Sequence, residues 1–196
     1  MKCDEFDVSN LTAKRSGFWG TRIGISGGIF ATLQDLSWGF WWYNSEDAAY
    51  RKMLSDSGEG ANPISYLLVA GHSAPGMSQI TNDAGTIFLS GIGLQAWAAR
   101  KGILRNTNTY ARASNKKGPV RCWFTRDAIA YGLACHSSGW AENMANWVLR
   151  KGATAYGTPC ILDVSILRIR ICRGSWHYTL RGLLADPSWR SYGGKL

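Results

Sequence analysis

Three stretches carry side chains able to do chemistry. Gly71-His72-Ser73 closes an apolar run at residues 64–70. A serine on a sharp turn after a buried strand is placed to act as a nucleophile. Asp163 follows a later apolar stretch and His177 lies beyond it. The order serine, aspartate, histidine is therefore available for acyl transfer. Pro75 stands two positions after Ser73, where such a turn needs a small residue. The second stretch is Cys135-His136. A thiolate needs a base brought to it in space, and Cys135 falls near the end of an expected helix with His177 far along the chain. It reads as a packed thiol. The third is basic and aromatic: the interval 100–126, Arg168, Arg170 and the chain's 10 tryptophans. Cations for phosphates and rings for stacking suit a nucleic-acid surface.

Charge is uneven along the chain. Residues 1–60 hold 6 Lys/Arg against 8 Asp/Glu, and residues 61–196 hold 16 against 5. The net charge is +9, and no acid occurs between Asp83 and Asp127. Arg100, Lys101, Arg105, Arg112, Lys116, Lys117, Arg121 and Arg126 fill that gap. Such a field favours an anionic partner, a nucleotide or nucleic acid.

The five cysteines (Cys3, Cys122, Cys135, Cys160, Cys172) are odd in number and widely spaced. Without a Cys-x-x-Cys pair no metal site is expected, and buried free thiols in a reducing compartment are. No apolar run reaches the roughly 18 residues of a membrane span. The first ten residues lack the apolar core of a signal peptide, so a soluble, intracellular protein is expected.

The elements that must position these residues follow from periodicity. Residues 1–16 read as a polar lead-in and 17–196 as one α+β domain. Strands are expected at 18–25, 39–43, 64–70 and 86–91, with a short helix at 29–36. Ser45 caps a helix to about residue 54, with Glu46 and Asp47 in its first turn. Residues 56–63 are turn-rich. A helix at 94–101 stops at Gly102, and residues 105–118 form a basic surface loop. Val120, Cys122 and Phe124 alternate as a strand. Thr125 then caps a helix with Asp127 in its first turn. A helix at 140–151 precedes a long strand at 160–172, whose apolar phase shifts at Ile166 and Leu167 as at a bulge or bend. Without a strict βαβ rhythm, a mostly antiparallel split-sheet core with packed helices is expected.

Residues 42–50 align without gaps on 123–131. Both read Trp, aromatic, capping residue, polar pair, then Ala-Tyr. This implies an internal similarity between 17–72 and 86–172. Two family resemblances follow. Leu67 to Gly76 resembles the nucleophile elbow of an α/β-hydrolase. The order of strand 86–91, helix 94–103, Trp123 to Tyr131, and strand 160–166 resembles ADP-ribosyltransferases of the poly(ADP-ribose) polymerase type, over about half of the chain. That resemblance implies NAD as substrate. Tyr131 would stack on nicotinamide and Asp163 would stabilise the oxocarbenium-like state. Ser90, Gly91, Trp123 and Thr125 would hold the dinucleotide. Ser90-Gly91-Ile92 replaces the family's His-Gly-Thr, and no glutamate follows Glu142. An inactive or altered member fits these departures as well as an active transferase does. The alternatives are a basic, Trp-rich nucleic-acid-binding module and a small serine hydrolase using Ser73.

Overall fold

The computed structural model describes residues 21–26, 40–42, 45–56, 64–100, 123–165 and 167–196. The lead-in at 1–16, the helix expected at 29–36, the loop at 57–63, most of the basic interval 100–126, Cys3 and Cys122 lie outside them.

The main sheet contains β1 (Thr21–Ser26), β2 (Phe40–Trp42), β3 (Ile64–Ala70), β6 (Phe124–Leu133), β7 (Thr154–Gly157) and β10 (Arg190–Gly193), in the order β10-β7-β6-β3-β1-β2. Two antiparallel hairpins accompany it: β4 (Ile80–Thr81) with β5 (Phe88–Leu89), and β8 (Leu162–Ser165) with β9 (Arg168–Ile171). The helices are α1 (Glu46–Asp56), α2 (Gly91–Arg100), α3 (Ser138–Trp147) and the short α4 (Leu180–Leu184).

Helices packed on mixed sheets make this an α+β chain. The expectation of a mostly antiparallel core is corrected. Pairings β1–β2, β1–β3, β3–β6 and β6–β7 are parallel, and only β7–β10 is antiparallel. A helix lies between each successive pair of the main-sheet strands β2, β3, β6 and β7, and a parallel return needs such a crossover. The crossovers from β2 to β3, β3 to β6 and β6 to β7 all advance the same way across the sheet. Right-handed connections then put their helices on one face.

Side-chain alternation along the strands confirms the layering. Leu67, Val69, Ala130 and Ala155 share one core with Tyr50 of α1, Trp97 of α2 and Trp140 of α3. Leu68, Ala70, Tyr131 and Leu133 face the other way. They pack under Leu162, Ile169 and Ile171 of the β8–β9 hairpin, Leu180 and Leu183 of α4, and Trp189.

Local signals succeed where they stand alone. Ser45 caps α1 by accepting from the Ala48 amide at 3.0 Å, and β3 spans the apolar run 64–70. The helix expected from Thr125 is instead β6. Tyr66 pairs with Ile129 and Ile64 with Phe124, so β6 carries extra residues opposite two steps of β3. Arg126 and Asp127 sit in that excursion, exposed, where they imitate a capped first turn. Beyond it, Ala128, Ala130, Tyr131 and Leu133 are buried. A central parallel strand is covered on both faces and shows no clean alternation.

The strand expected at 160–172 is likewise a hairpin. Leu167 takes a positive φ of 61° at its turn, which accounts for the phase shift. Cys160 and Cys172 form a disulfide across its base, correcting the expectation of free thiols. Cys135 is the free cysteine among the described residues.

Candidate functional site

Strand succession reverses at β1, which lies between β2 and β3. In open sheets of parallel strands, ligands bind beyond the carboxyl ends near such a reversal. Two reactive side chains stand there. Ala70 of β3 pairs with Leu133 of β6, and the Gly71 amide donates to the Leu133 carbonyl at 3.3 Å. His72 is two residues beyond Ala70, and Cys135 is two residues beyond Leu133. Neighbouring strands lie about 4.8 Å apart, so the topology sets His72 and Cys135 at equivalent positions past adjacent strand ends, on the carboxyl side of the sheet.

Cys135 sits on a sharp strand-to-helix turn. The Ala134 amide donates to Gly132 O at 2.9 Å, and His136 follows with φ 51°. A positive φ at a non-glycine residue is strained unless its surroundings hold it. Here they do. The His136 amide donates to Cys160 O at 2.8 Å, and its Nδ1 meets Pro159 O at 2.6 Å. With a carbonyl as partner, Nδ1 carries the proton. The fully buried Ser137 donates to Gly132 O at 2.7 Å and accepts from the Thr158 amide at 3.1 Å. Helix α3 then starts at Ser138. The Leu162 amide, from the β8–β9 hairpin, donates to Cys135 Sγ at 3.3 Å, and the thiol donates to Leu162 O at 3.7 Å.

His72 is braced from the other side. Its amide donates to Thr81 O at 2.9 Å, and its carbonyl accepts from the Thr81 amide at 2.8 Å. The approach is so close that a Cβ on Gly71 would lie 2.2 Å from Thr81 O; glycine is required there. The following turn is fixed by Asn82, whose Oδ1 accepts from the Thr86 and Ile87 amides, each at 2.9 Å. That turn presents Asp83, with Oδ1 at 2.7 Å from His72 Nε2. The carboxylate orients the ring and leaves Nδ1 for proton exchange. Among the described residues, the backbone amides of Ser73 and Cys135 have no internal acceptor.

The residues singled out from the sequence are dispersed. Ser73 follows His72, with Oγ buried and without a hydrogen-bond partner. Its expected partners are engaged elsewhere: Asp163 with Arg170 at 2.7 Å, and His177 with Asp186 at 2.6 Å. The elbow geometry expected at Ser73 occurs at Cys135, since β3 runs into a loop and β6 into a helix. Tyr131 stacks on Tyr156 (centroids 4.6 Å apart) and meets Trp189 edge-on, while its hydroxyl donates to Leu184 O. Burial first, then the charges of Tyr156 and Tyr66, push its phenol up to about 12.

Ser90 caps α2 by accepting from the Gly93 amide at 3.0 Å. Gly91 lets α2 approach Asn143 of α3, since a Cβ there would lie 2.9 Å from Asn143 O. Trp123 is buried edge-on against Trp97, and Thr125 is buried in β6 with its hydroxyl unpartnered. Trp123 belongs to the helix-side core and Tyr131 to the opposite one. The structure therefore does not gather the residues expected to hold NAD into one cleft.

Nothing local in the sequence brings His72 to the strand end next to that of Cys135. The signal that remains is the shared ending of two apolar strands: Ala-Gly-His-Ser at 70–73 and Leu-Ala-Cys-His-Ser at 133–137. Among the described residues there is no cluster of three or more metal-ligating side chains, and no helix is long and apolar enough to cross a membrane. Comparison of the chain with models of known families, with curated proteins and with solved structures gives no match.

Proposed function

We propose that the protein is a cysteine hydrolase acting on peptide bonds, with Cys135 as nucleophile, His72 as general base and acid, and Asp83 as the group that orients His72. The observation carrying this is the register. His72 and Cys135 occupy equivalent positions just past the ends of paired parallel strands, and His72 already has its third partner at 2.7 Å. Histidine upstream of the cysteine by some tens of residues is also the order found in caspases.

The chemistry follows from these groups. His72 Nδ1 accepts the thiol proton as Cys135 Sγ attacks the scissile carbonyl. The Ser73 and Cys135 amides stabilise the oxyanion. Collapse breaks the C–N bond, and His72 returns the proton to the leaving amine. Water, deprotonated by His72, then releases the acyl group and restores the thiol. The sharp turn at His136 supports this by holding Cys135 at the strand's end, ahead of the α3 N-terminus.

The test is digestion of denatured casein by the full chain and by Cys135→Ala. Loss of cutting with an unchanged melting temperature is expected, and undiminished cutting by Cys135→Ala refutes the assignment.

A further inference from the structure

The β8–β9 hairpin runs beside the nucleophile, and its two outer edges differ. The Cys172 amide donates to Ile161 O at 3.1 Å, and Asp163 and Ser165 pair with Arg170 and Arg168. In an antiparallel pair, alternate residues bond inward, so Leu162 and Val164 turn their backbone groups to the far edge. The same parity turns Ile169 outward on β9. There His177 takes both its groups, at 2.9 and 2.7 Å. On β8, the Leu162 amide goes to Cys135 Sγ at 3.3 Å. Among the described residues nothing pairs with the Val164 backbone, and Val164 is 47% exposed. An unpaired strand edge leading to a nucleophile is a template for an extended peptide.

The hairpin's outer face supplies selectivity. Arg168 and Arg170 both stack on Trp176, at 4.4 and 4.7 Å from its centroid. Arg170 is paired with Asp163 at 2.7 Å, whereas Arg168 has no carboxylate partner among the described residues. Stacking pre-organises its guanidinium for a bidentate anion. Ser165, opposite Arg168, is small and leaves the way from the β8 edge open.

We propose that a peptide substrate adds to the β8 edge as an extra strand, paired at Val164, and that Arg168 selects an acidic side chain three residues from the scissile bond. The spacing follows from the register. The reacting carbonyl lies at Cys135, beside Leu162, and Ser165 is three strand steps further, roughly 10 Å at about 3.3 Å per residue. This inference rests on the cysteine-hydrolase reading for its catalysis, and on the hairpin alone for its docking.

The experiment incubates the full chain with a pool of random dodecapeptides and maps the cuts by mass spectrometry. Retention of the same pool on immobilised Cys135→Ala protein is read in parallel. Asp and Glu should be enriched about tenfold three residues from the cut, the gain of one charge-assisted hydrogen-bonded pair. Arg168→Glu should replace that enrichment with Lys and Arg, and Arg168→Gln should abolish it. Val164→Pro, tolerated where an edge amide faces outward, should lower cutting and retention of all peptides. Cutting without acidic enrichment, or enrichment untouched by Arg168→Glu, overturns the proposal and leaves the hydrolase intact. Retention of acidic peptides that depends on Arg168, with no cutting by the parent chain, supports the docking edge and overturns the hydrolase. Neither cutting nor retention overturns both.

Discussion

Among the described residues, two histidine–aspartate pairs have nearly the same contact distance and opposite settings. His72 Nε2 and Asp83 Oδ1 are 2.7 Å apart, with side chains 64% and 47% exposed. His177 Nε2 and Asp186 Oδ2 are 2.6 Å apart, with side chains 17% and 6% exposed. The second pair is tied into the fold. The His177 backbone bridges Ile169, Thr179 caps α4, and Asp186 Oδ1 accepts from the Ser188 amide at 2.8 Å. The His72 backbone likewise bridges Thr81, but the side chains of the first pair are exposed, and His72 lies just past the end of the strand paired with the one that leads to Cys135. A short contact between these side chains therefore does not mark a reactive site. In the proposed function the neighbour across the strand does.

The largest effect expected from breaking this contrast is in catalysis. His72→Ala should lower kcat/KM for peptide hydrolysis by about a thousandfold, the scale of a lost general base, with Tm almost unchanged because the side chain is exposed. Steady-state kinetics with thermal melts on the same sample check both halves. Next, His177→Ala should destabilise the fold by about 3 kcal/mol by leaving a carboxylate buried without its partner. Denaturant titration measures this, and residual activity per folded molecule should stay near that of the parent.

Asp83→Asn should lower kcat about tenfold without changing Tm, since an exposed pair adds little stability while the ring loses its orientation. A drop in Tm with kcat intact would reverse the roles of the two pairs. The smallest effect is in acid. Burial works to raise the Asp186 carboxyl, but the Ser188 amide and hydroxyl and His177 outweigh it and hold it below the usual aspartate value. A carboxyl lowered on folding stabilises above its unfolded value of about 4. That contribution fades as pH falls through the lower folded value. Melting curves from pH 6 to pH 2 should show Asp186→Asn losing less stability across this window than the parent loses.

The parts of the fold legible in the sequence were those set by neighbours in the chain. Ser45 and the acids after it mark α1, and the unbroken apolar run marks β3. The stretch from Thr125 to Leu133 reads as a helix yet folds as β6 because it satisfies two rules at once. Thr-Arg-Asp imitates a cap and first turn, and Ala-Ile-Ala-Tyr suits a helix as well as a strand covered on both faces. Only pairing with β3 on one side and β7 on the other decides between them, and that pairing is not local. Misplacing β6 hid the site, because a cysteine at a helix end has no reason to meet His72. Asp83 was beyond reach for the same reason. Its approach depends on the β4–β5 turn folding back over Gly71.

The bond between Cys160 and Cys172 changes what a broken backbone means in this protein. Their positions are 12 apart in sequence, and the turn between β8 and β9 lies inside the loop they close. A proteolytic cut anywhere in that loop makes two polypeptides that remain one covalent molecule. Such nicked protein migrates as a single species in a denaturing gel without reductant and as two with it.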